Sequence, residues 1–329
     1  MAIKFDWDNG RGQGIMTGDH FEEIRERFSV ANKAAKFARY RGRYIPRRLY
    51  TITPGGRFDP GLYKDIEQYI TDSEYSTDIL MSDSFMEHVK PKFDAKRIKQ
   101  LKLKLRDYQK DIVKECLDNG RGTVVLATAG GKTLTFATLL ETLYNKNKKL
   151  KCALIVPDLG LVEQTYNDFV DYGTTFKTTK WTGKSELDLS GNVIVCNLGI
   201  LQSNNSDTSW LNHVDVVIVD EVHKLRKGNK VNTLFKSMHT SHRFGFTGTM
   251  PEELIDQWNI IGKMGPILYE RNSFQLRKDN YVADVKVQIL KLEHSTKPDY
   301  PKTLRTPAER YRVELDFIIN SAFRNKLLQ

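Results

Sequence analysis

Between Thr123 and Phe246 the chain repeats one rhythm, in which short, almost wholly apolar runs rich in β-branched residues alternate with stretches of helical spacing. The runs are Thr123–Ala127, Cys152–Val156, Val193–Cys196, Val214–Val219 and Arg243–Phe246. Helical patterns cover Tyr108–Asn119, Lys132–Asn145 and Leu161–Asp171. Strand, helix, strand at this spacing argues for a parallel sheet with helices on both faces, because parallel neighbours need long crossovers. Val216-Val217-Ile218-Val219 shows no polar alternation, as a strand covered on both sides requires. The expected fold is therefore α/β, with ligand chemistry gathered at the carboxyl ends of the strands.

The first of these strands runs into a small loop, Thr128 to Gly131, and then a helix opening Lys132-Thr133-Leu134. Strand, loop and helix in this order form a phosphate-binding context. Backbone N–H groups and the helix N-terminus face the anion, a lysine reaches the outer phosphates and a threonine hydroxyl meets Mg²⁺. Thr128, Ala129, Gly130, Gly131, Lys132, Thr133 and Leu134 are the candidate nucleotide-binding residues. The strict pattern would need glycine at position 126, where this chain has Leu126. A second Gly-Lys-Ser triplet, Gly183-Lys184-Ser185, has no apolar strand before it and no helix after it, and reads as a solvated loop.

Asp220 and Glu221 follow Val216–Val219 at a strand end. One carboxylate there can hold Mg²⁺, and its neighbour can orient or deprotonate an attacking water. Lys132, Asp220, Glu221 and His223 are the candidate catalytic residues, with Thr133 and Asp220 the candidate Mg²⁺ ligands. Order supports this: Asp220 lies 88 residues after Lys132, and Thr247-Gly248-Thr249 begins 27 further on, each at a predicted strand end.

Arg106-Asp107-Tyr108-Gln109, Ala127 to Thr133, Asp220-Glu221-Val222-His223 and Phe246-Thr247-Gly248-Thr249 resemble the successive motifs of a superfamily 2 helicase of the DExH type. Leu154-Ile155-Val156-Pro157, with Leu161 and Gln164, resembles its first DNA-contacting motif. Within the superfamily the chain most resembles the UvsW-type helicases of tailed bacteriophages, over nearly its whole length. The stretches 263–270 and 281–287 also echo the XPB-like and restriction-motor branches. The resemblance implies a RecA-like P-loop domain, ATP and Mg²⁺ as cofactors, and ATP hydrolysis coupled to DNA. It implies that Arg106 and Gln109 meet the adenine, that His223, Thr247 and Thr249 couple nucleotide state to DNA grip, and that Pro157, Gln164 and Asn197 lie on DNA. Ala129 stands where the family often has glycine, Asp158 where a hydroxyl residue often touches phosphate, and Asn197 where threonine is usual.

Residues 1–92 read as a small α+β unit, with a helix over Phe21–Ala31, short strands at Tyr44-Ile45 and Leu49–Thr53, and a helix from Pro60 to Ile70. From Lys33 to Arg57 there are eight basic residues and no acidic one, interleaved with Phe37, Tyr40, Tyr44 and Tyr50. Such charge tracks phosphates and such rings stack on bases, so Arg39, Arg41, Arg43, Tyr44, Arg47 and Arg48 are candidate contacts to duplex or branched DNA. The excess charge is not confined to this unit. Residues 1–105 hold 20 Lys/Arg against 15 Asp/Glu, and residues 106–329 hold 31 against 26.

Three domains are thus expected: 1–92, a basic DNA-binding unit; 93–282, the first RecA-like domain; and 283–329, the start of a second, with a strand over Val285–Leu292 and a helix over 308–329. No later arginine motif follows, so the chain is expected to be the front part of a longer motor and to hydrolyse ATP weakly. No apolar run is long enough for a membrane span, and no secretory signal is visible. The three cysteines are far apart, which suits reduced thiols of a cytoplasmic protein, in the host if phage-encoded. The expected function is a monomeric ATP-dependent helicase or translocase on branched or forked DNA, duplex or single-stranded, in replication, recombination or repair. The alternatives are a restriction-type or XPB-like duplex translocase, or a nucleic-acid-binding module with an inert ATPase.

Overall fold

The structure, a computed structural model, describes residues 2–35, 45–73, 75, 77–95, 97–183, 185–203, 206–225, 231–283, 301 and 306–328. Its chain forms two compact units, Met1–Val282 and Ala283–Gln329. Among the described residues no helix is long and apolar enough to cross a membrane.

The large unit is built on seven parallel strands. In chain order they are β7 (Gly122–Leu126), β8 (Cys152–Val156), β9 (Thr178–Trp181), β10 (Val193–Asn197), β11 (Val216–Asp220), β12 (His242–Thr247) and β13 (Ile267–Arg271). In space they run β13-β7-β12-β11-β8-β10-β9. Every residue of β7, β8, β10 and β11 is buried, and helices α4 (Asp107–Asn119), α5 (Lys132–Lys146) and α6 (Leu159–Tyr172) share one core with them. Val217 and Val219 face a second core on the other side of the sheet. The alternation that the sequence displayed is therefore physical: both faces of β11 are covered. Each such side chain contributes about 1.5–3 kcal/mol by leaving water.

Strands β9 and β13 are the edges, and neither is among the five apolar runs, because an edge strand is only partly covered. Cys116, Cys152 and Cys196 are free, buried thiols, and burial raises the pKa of each.

The first ninety residues form a second sheet, β5-β2-β1-β6, from β1 (Ala2–Asp8), β2 (Gln13–Gly18), β5 (Arg57–Phe58) and β6 (Asp78–Met81). Strands β3 (Ser29–Ala31) and β4 (Arg48–Tyr50) pair separately. The helix expected over Phe21–Ala31 therefore stops early: α1 is Phe21–Arg27, and Ser29–Ala31 is drawn into pairing with β4. Phe5, Phe58, Tyr63 and Phe85 pack ring against ring beneath the sheet. Helix α2 (Tyr63–Asp72) follows a 3-10 turn at Pro60–Leu62, and α3 is Asp83–Val89.

This sheet does not stand apart from the parallel-sheet region. Helix α9 (Leu254–Met264) gives Ile255, Trp258 and Ile261 to the N-terminal core and Ile260 and Met264 to the core of the parallel sheet. Gly61 lies so close to the Ile261 and Gly262 carbonyls that no Cβ would fit. Across the same junction Lys263, almost fully buried, pairs with Asp59. Burial is the largest influence and would raise the Asp59 carboxyl, but the Lys263 charge together with hydrogen bonds from Lys263 and Gln13 holds it below its usual value. Arg121, immediately before β7, donates to the carbonyls of His88, Lys263 and Met264. Residues 1–282 are thus one compact unit in which α9 joins the core beneath the N-terminal sheet to a core of the parallel sheet.

In the small unit, α11 (Pro307–Ile319) and α12 (Ala322–Leu328) break the expected single helix at Asn320-Ser321. The strand expected over Val285–Leu292 falls outside the described residues.

Candidate nucleotide site

Strand order brings the separated motifs together. β7 leads to the glycine loop, β12 beside it ends at Thr247, and β11 beside that ends at Asp220. Three segments distant in sequence therefore sit on neighbouring strand tips.

Thr128 and Ala129 form the exposed crown of the loop, and Gly131 precedes α5. Gly131 takes φ 76° and Ala129 takes φ 67°. The left-handed conformation suits glycine but costs roughly 1–2 kcal/mol for a residue with a Cβ. Ala129 holds it because the loop around it is fixed. Gly130 N bonds Ala127 O at 3.0 Å, and Thr135 N and Oγ1 both donate to Gly131 O. Glu221 is the other left-handed non-glycine residue at this site, with φ 49°.

Lys132 and Glu221 form an ion pair, Nζ to Oε1, at 3.0 Å. The other carboxylate oxygen of Glu221 lies 3.2 Å from His223 Nδ1, which lies 2.8 Å from Thr247 Oγ1. The Thr247 hydroxyl donates to Thr249 O at 2.8 Å, so its hydrogen is engaged there and His223 Nδ1 is the donor to Thr247. Lys132, Glu221, His223, Thr247 and Thr249 thus form one polar chain. Asp220 is buried beside it and accepts from Glu221 N at 2.9 Å. Burial pushes its carboxyl up to about 6, opposed by the Lys132 charge and reinforced by Glu221.

Behind the loop, Gln109 is nearly fully buried. Its Oε1 accepts from Arg106 N, and its Nε2 donates to Gly130 O and Gly131 O. Both ends of the amide are therefore engaged by backbone; in this conformation Gln109 braces the loop. Arg106 Nη1 donates to Tyr108 Oη, which donates to Gly130 O at 2.9 Å. The guanidinium groups of Arg106 and Arg271 lie over the rings of Tyr281 and Tyr108. Arg271 and Tyr281 were not among the candidates. Arg271 closes the edge strand β13, whose half-exposed pattern carries no periodic signal.

On the remaining strand tips, Pro157 is half-buried, Gln164 is exposed on α6, and Asn197 is buried with Oδ1 lacking a hydrogen-bond partner. Asp158 caps α6, accepting from Leu161 N at 3.1 Å. The carboxylate that suits a phosphate poorly has a structural partner instead. In the Gly183 loop, Ser185 Oγ accepts from Thr182 N at 2.9 Å, an internal tie; Lys184 is outside the described residues.

The basic stretch changes most. Arg39, Arg41, Arg43 and Tyr44 lie outside the described residues. Of the rest, Arg57 pairs with Asp8, Arg48 with Glu26 and Lys33 with Glu253, and Tyr50 donates to Glu26. Arg47 is exposed. A run free of acids in sequence is partly neutralised by acids from elsewhere in the fold.

A doubly covered parallel sheet with a glycine loop, an acidic strand tip and a threonine tip on adjacent strands is a RecA-like α/β arrangement. Residues 102–252 match the family profile described as the type III restriction enzyme, res subunit. The chain is similar to the ATP-dependent DNA helicase UvsW of Enterobacteria phage T4, 28% identical over 224 residues, which cover 67% of this chain and 43% of the relative. It is also similar to the DNA 3'-5' translocase XPB2 of Sulfurisphaera tokodaii, 26% identical over 233 residues, covering 69% and 47%. The match therefore spans less than half the length of either relative. A crystal structure of UvsW from bacteriophage T4 superposes with a TM-score of 0.67 at 22% identity, covering 82% of this chain and all of that one. At that identity the likeness speaks for the fold.

Proposed function

We propose that this chain binds ATP with Mg²⁺ and acts within an ATP-driven helicase or translocase on branched or forked DNA, in replication, recombination or repair. The observation that carries this reading is the polar chain from Lys132 through Glu221 and His223 to Thr247 and Thr249. It ties a phosphate lysine to a strand tip beyond the acidic motif, which is what a coupled ATPase needs.

The residues fit a magnesium nucleotide. Gly130, Gly131, Lys132 and Thr133 surround the N-terminus of α5, where backbone donors favour phosphate. Mg²⁺ would supply charge neutralisation at the outer phosphates, and Asp220 and Thr133 would hold it. Entering phosphate competes with Glu221 for Lys132, so binding would release the Glu221 carboxylate to act as a base. Arg106 and Gln109 are proposed to meet the adenine; for Gln109 this requires giving up its bonds to the loop. Pro157, Gln164 and Asn197 are the proposed DNA side of the strand tips, and Arg47 the exposed remnant of the N-terminal basic stretch within the described residues. The protein is proposed to work as a monomer in the cytoplasm.

The test is ATP turnover measured with forked DNA, single strands, duplex and RNA. Stimulation by forked DNA, abolished by Lys132→Ala and by Glu221→Gln, is the expected result; turnover unaffected by either substitution overturns it. The match to a restriction-enzyme subunit favours a second reading, a duplex translocase without strand separation. Displacement of a third strand from intact duplex, with no unwinding of forks, selects that reading.

A further inference from the structure

Arg271 lies behind the phosphate loop, and its contacts are unusual for a residue on an edge strand. Its carbonyl accepts from Ala127 N at 3.0 Å, where β7 becomes the loop. Its guanidinium lies 4.8 Å from the centre of the Tyr108 ring and 5.6 Å from that of Tyr281. One end pairs with Asp279, and Nη1 is 3.4 Å from Tyr269 Oη. The Nε–H is buried and has no acceptor. An unbonded buried donor is unfavourable, so hydrogen bonding alone does not explain why the group sits here. Its place over the Tyr108 ring, beside the pair with Asp279, does.

Tyr108 in turn has one polar task within the protein. Its hydroxyl accepts from Arg106 Nη1 and donates to Gly130 O in the loop. Gln109 shares that carbonyl. If the Gln109 amide turns to a nucleobase, Tyr108 is the remaining side chain holding Gly130 O.

We infer that Arg271 is a positioning residue for the phosphate loop, acting by clamping Tyr108 over Gly130. This rests on the nucleotide-binding reading above and deepens it. The clamp requires a flat cation at Arg271 and a hydroxyl at Tyr108, and it acts on the phosphate side of the ligand rather than on the base.

The experiment compares binding of a fluorescent ADP with its displacement by unlabelled ADP and by inorganic tripolyphosphate, which has no base. It uses the whole chain and its variants Arg271→Ala, Arg271→Lys, Tyr108→Phe and Arg271→Ala/Tyr108→Phe, with Lys132→Ala as the control for loss of phosphate binding. Arg271→Ala and Tyr108→Phe should each weaken ADP and tripolyphosphate alike, by about tenfold, and the double variant by little more than either, since one path is broken twice. Arg271→Lys keeps the charge but not the plane, and should behave like the alanine variant. Melting curves identify any variant that does not fold, and Tyr108→Phe, which keeps the ring, then carries the test. Tripolyphosphate affinity within twofold of wild type in both single variants overturns the inference, as does full recovery by lysine or additive loss in the double variant. Weakening of ADP alone overturns it too and makes Arg271 a wall for the base. If the unmodified chain binds neither ligand and matches Lys132→Ala, the nucleotide reading falls and this inference with it.

Discussion

The candidate nucleotide site and the N-terminal basic stretch both rest on charged residues, scattered along the chain in the first and grouped in the second, and folding treats them oppositely. At the nucleotide site, segments far apart in the chain arrive on the adjacent tips of β7, β12 and β11, and their charges meet in a single chain of contacts. In the basic stretch, residues that looked like one positive face are drawn apart. Arg57, Arg48 and Lys33 each pair with an acid from another segment. Spacing along parallel strands survives folding because the strand tips share one edge. Absence of nearby acids in sequence does not survive, because tertiary contacts recruit acids from anywhere.

The largest effects should fall on the nucleotide site. Lys132→Ala should abolish nucleotide binding, and Glu221→Gln should lower turnover by about 10²–10⁴-fold as expected for loss of a general base. Glu221→Gln also frees Lys132 from its ion pair, so ADP affinity should be unchanged or higher in a binding titration. A fall in ADP affinity would mean that the Lys132–Glu221 contact supports the site rather than competing with its ligand.

Next comes the junction between the two regions. Asp59→Asn leaves Lys263 buried without its partner, which should destabilise the large unit by about 3 kcal/mol. Urea unfolding followed by tryptophan fluorescence measures this, since Trp258 lies in the N-terminal core and Trp181 and Trp210 in a core of the parallel sheet. A loss confined to the N-terminal segment, with the parallel-sheet region unfolding as before, would break the picture of one compact unit.

Within the basic stretch, two neighbours should separate. Arg48→Ala removes bonds to Ser29 and Glu26 and should lower the melting temperature. Arg47→Ala should leave it unchanged while reducing the salt dependence of DNA binding by about one phosphate contact. Equal effects from both would restore the uniform basic face.

The smallest expected effects concern Ala129 and His88. Ala129→Gly relieves the left-handed strain, offset by glycine's greater freedom when unfolded, for a net gain of about 1 kcal/mol or less. His88 stacks on Trp7, and burial, aided by the Arg121, Arg243 and His239 charges, lowers its pKa to about 4. The unfolded chain takes up this proton near the ordinary value of 6.5, so His88 makes stability fall as pH drops from about 6.5 towards 4. Melting curves across that window should be flatter for His88→Gln.

Much of the fold was legible because it rests on short-range pattern. The five apolar runs became β7, β8, β10, β11 and β12, since fully buried strands show unbroken apolar sequence. Edge strands β9 and β13, and the N-terminal strands β1 and β2, were not legible, because partial burial leaves no such run. The grouping of Lys132, Asp220, Glu221, His223 and Thr247 was foreseeable from order and strand ends. Gln109's engagement with the Gly130 and Gly131 carbonyls was not, because nothing in its sequence neighbourhood reveals which backbone lies opposite.

By itself, then, the sequence determined a doubly covered parallel sheet and the edge at which its chemistry collects, since buried strands and helical periods are written locally. Only the tertiary structure decided which charges remain free. It paired Lys33, Arg48 and Arg57 of the basic run with acids, sank Asp59 and Lys263 into the junction bridged by α9, and set Arg271 against Tyr108 behind the loop. Those outcomes depend on which distant segments meet, and the number of possible partners is too large for local pattern to specify.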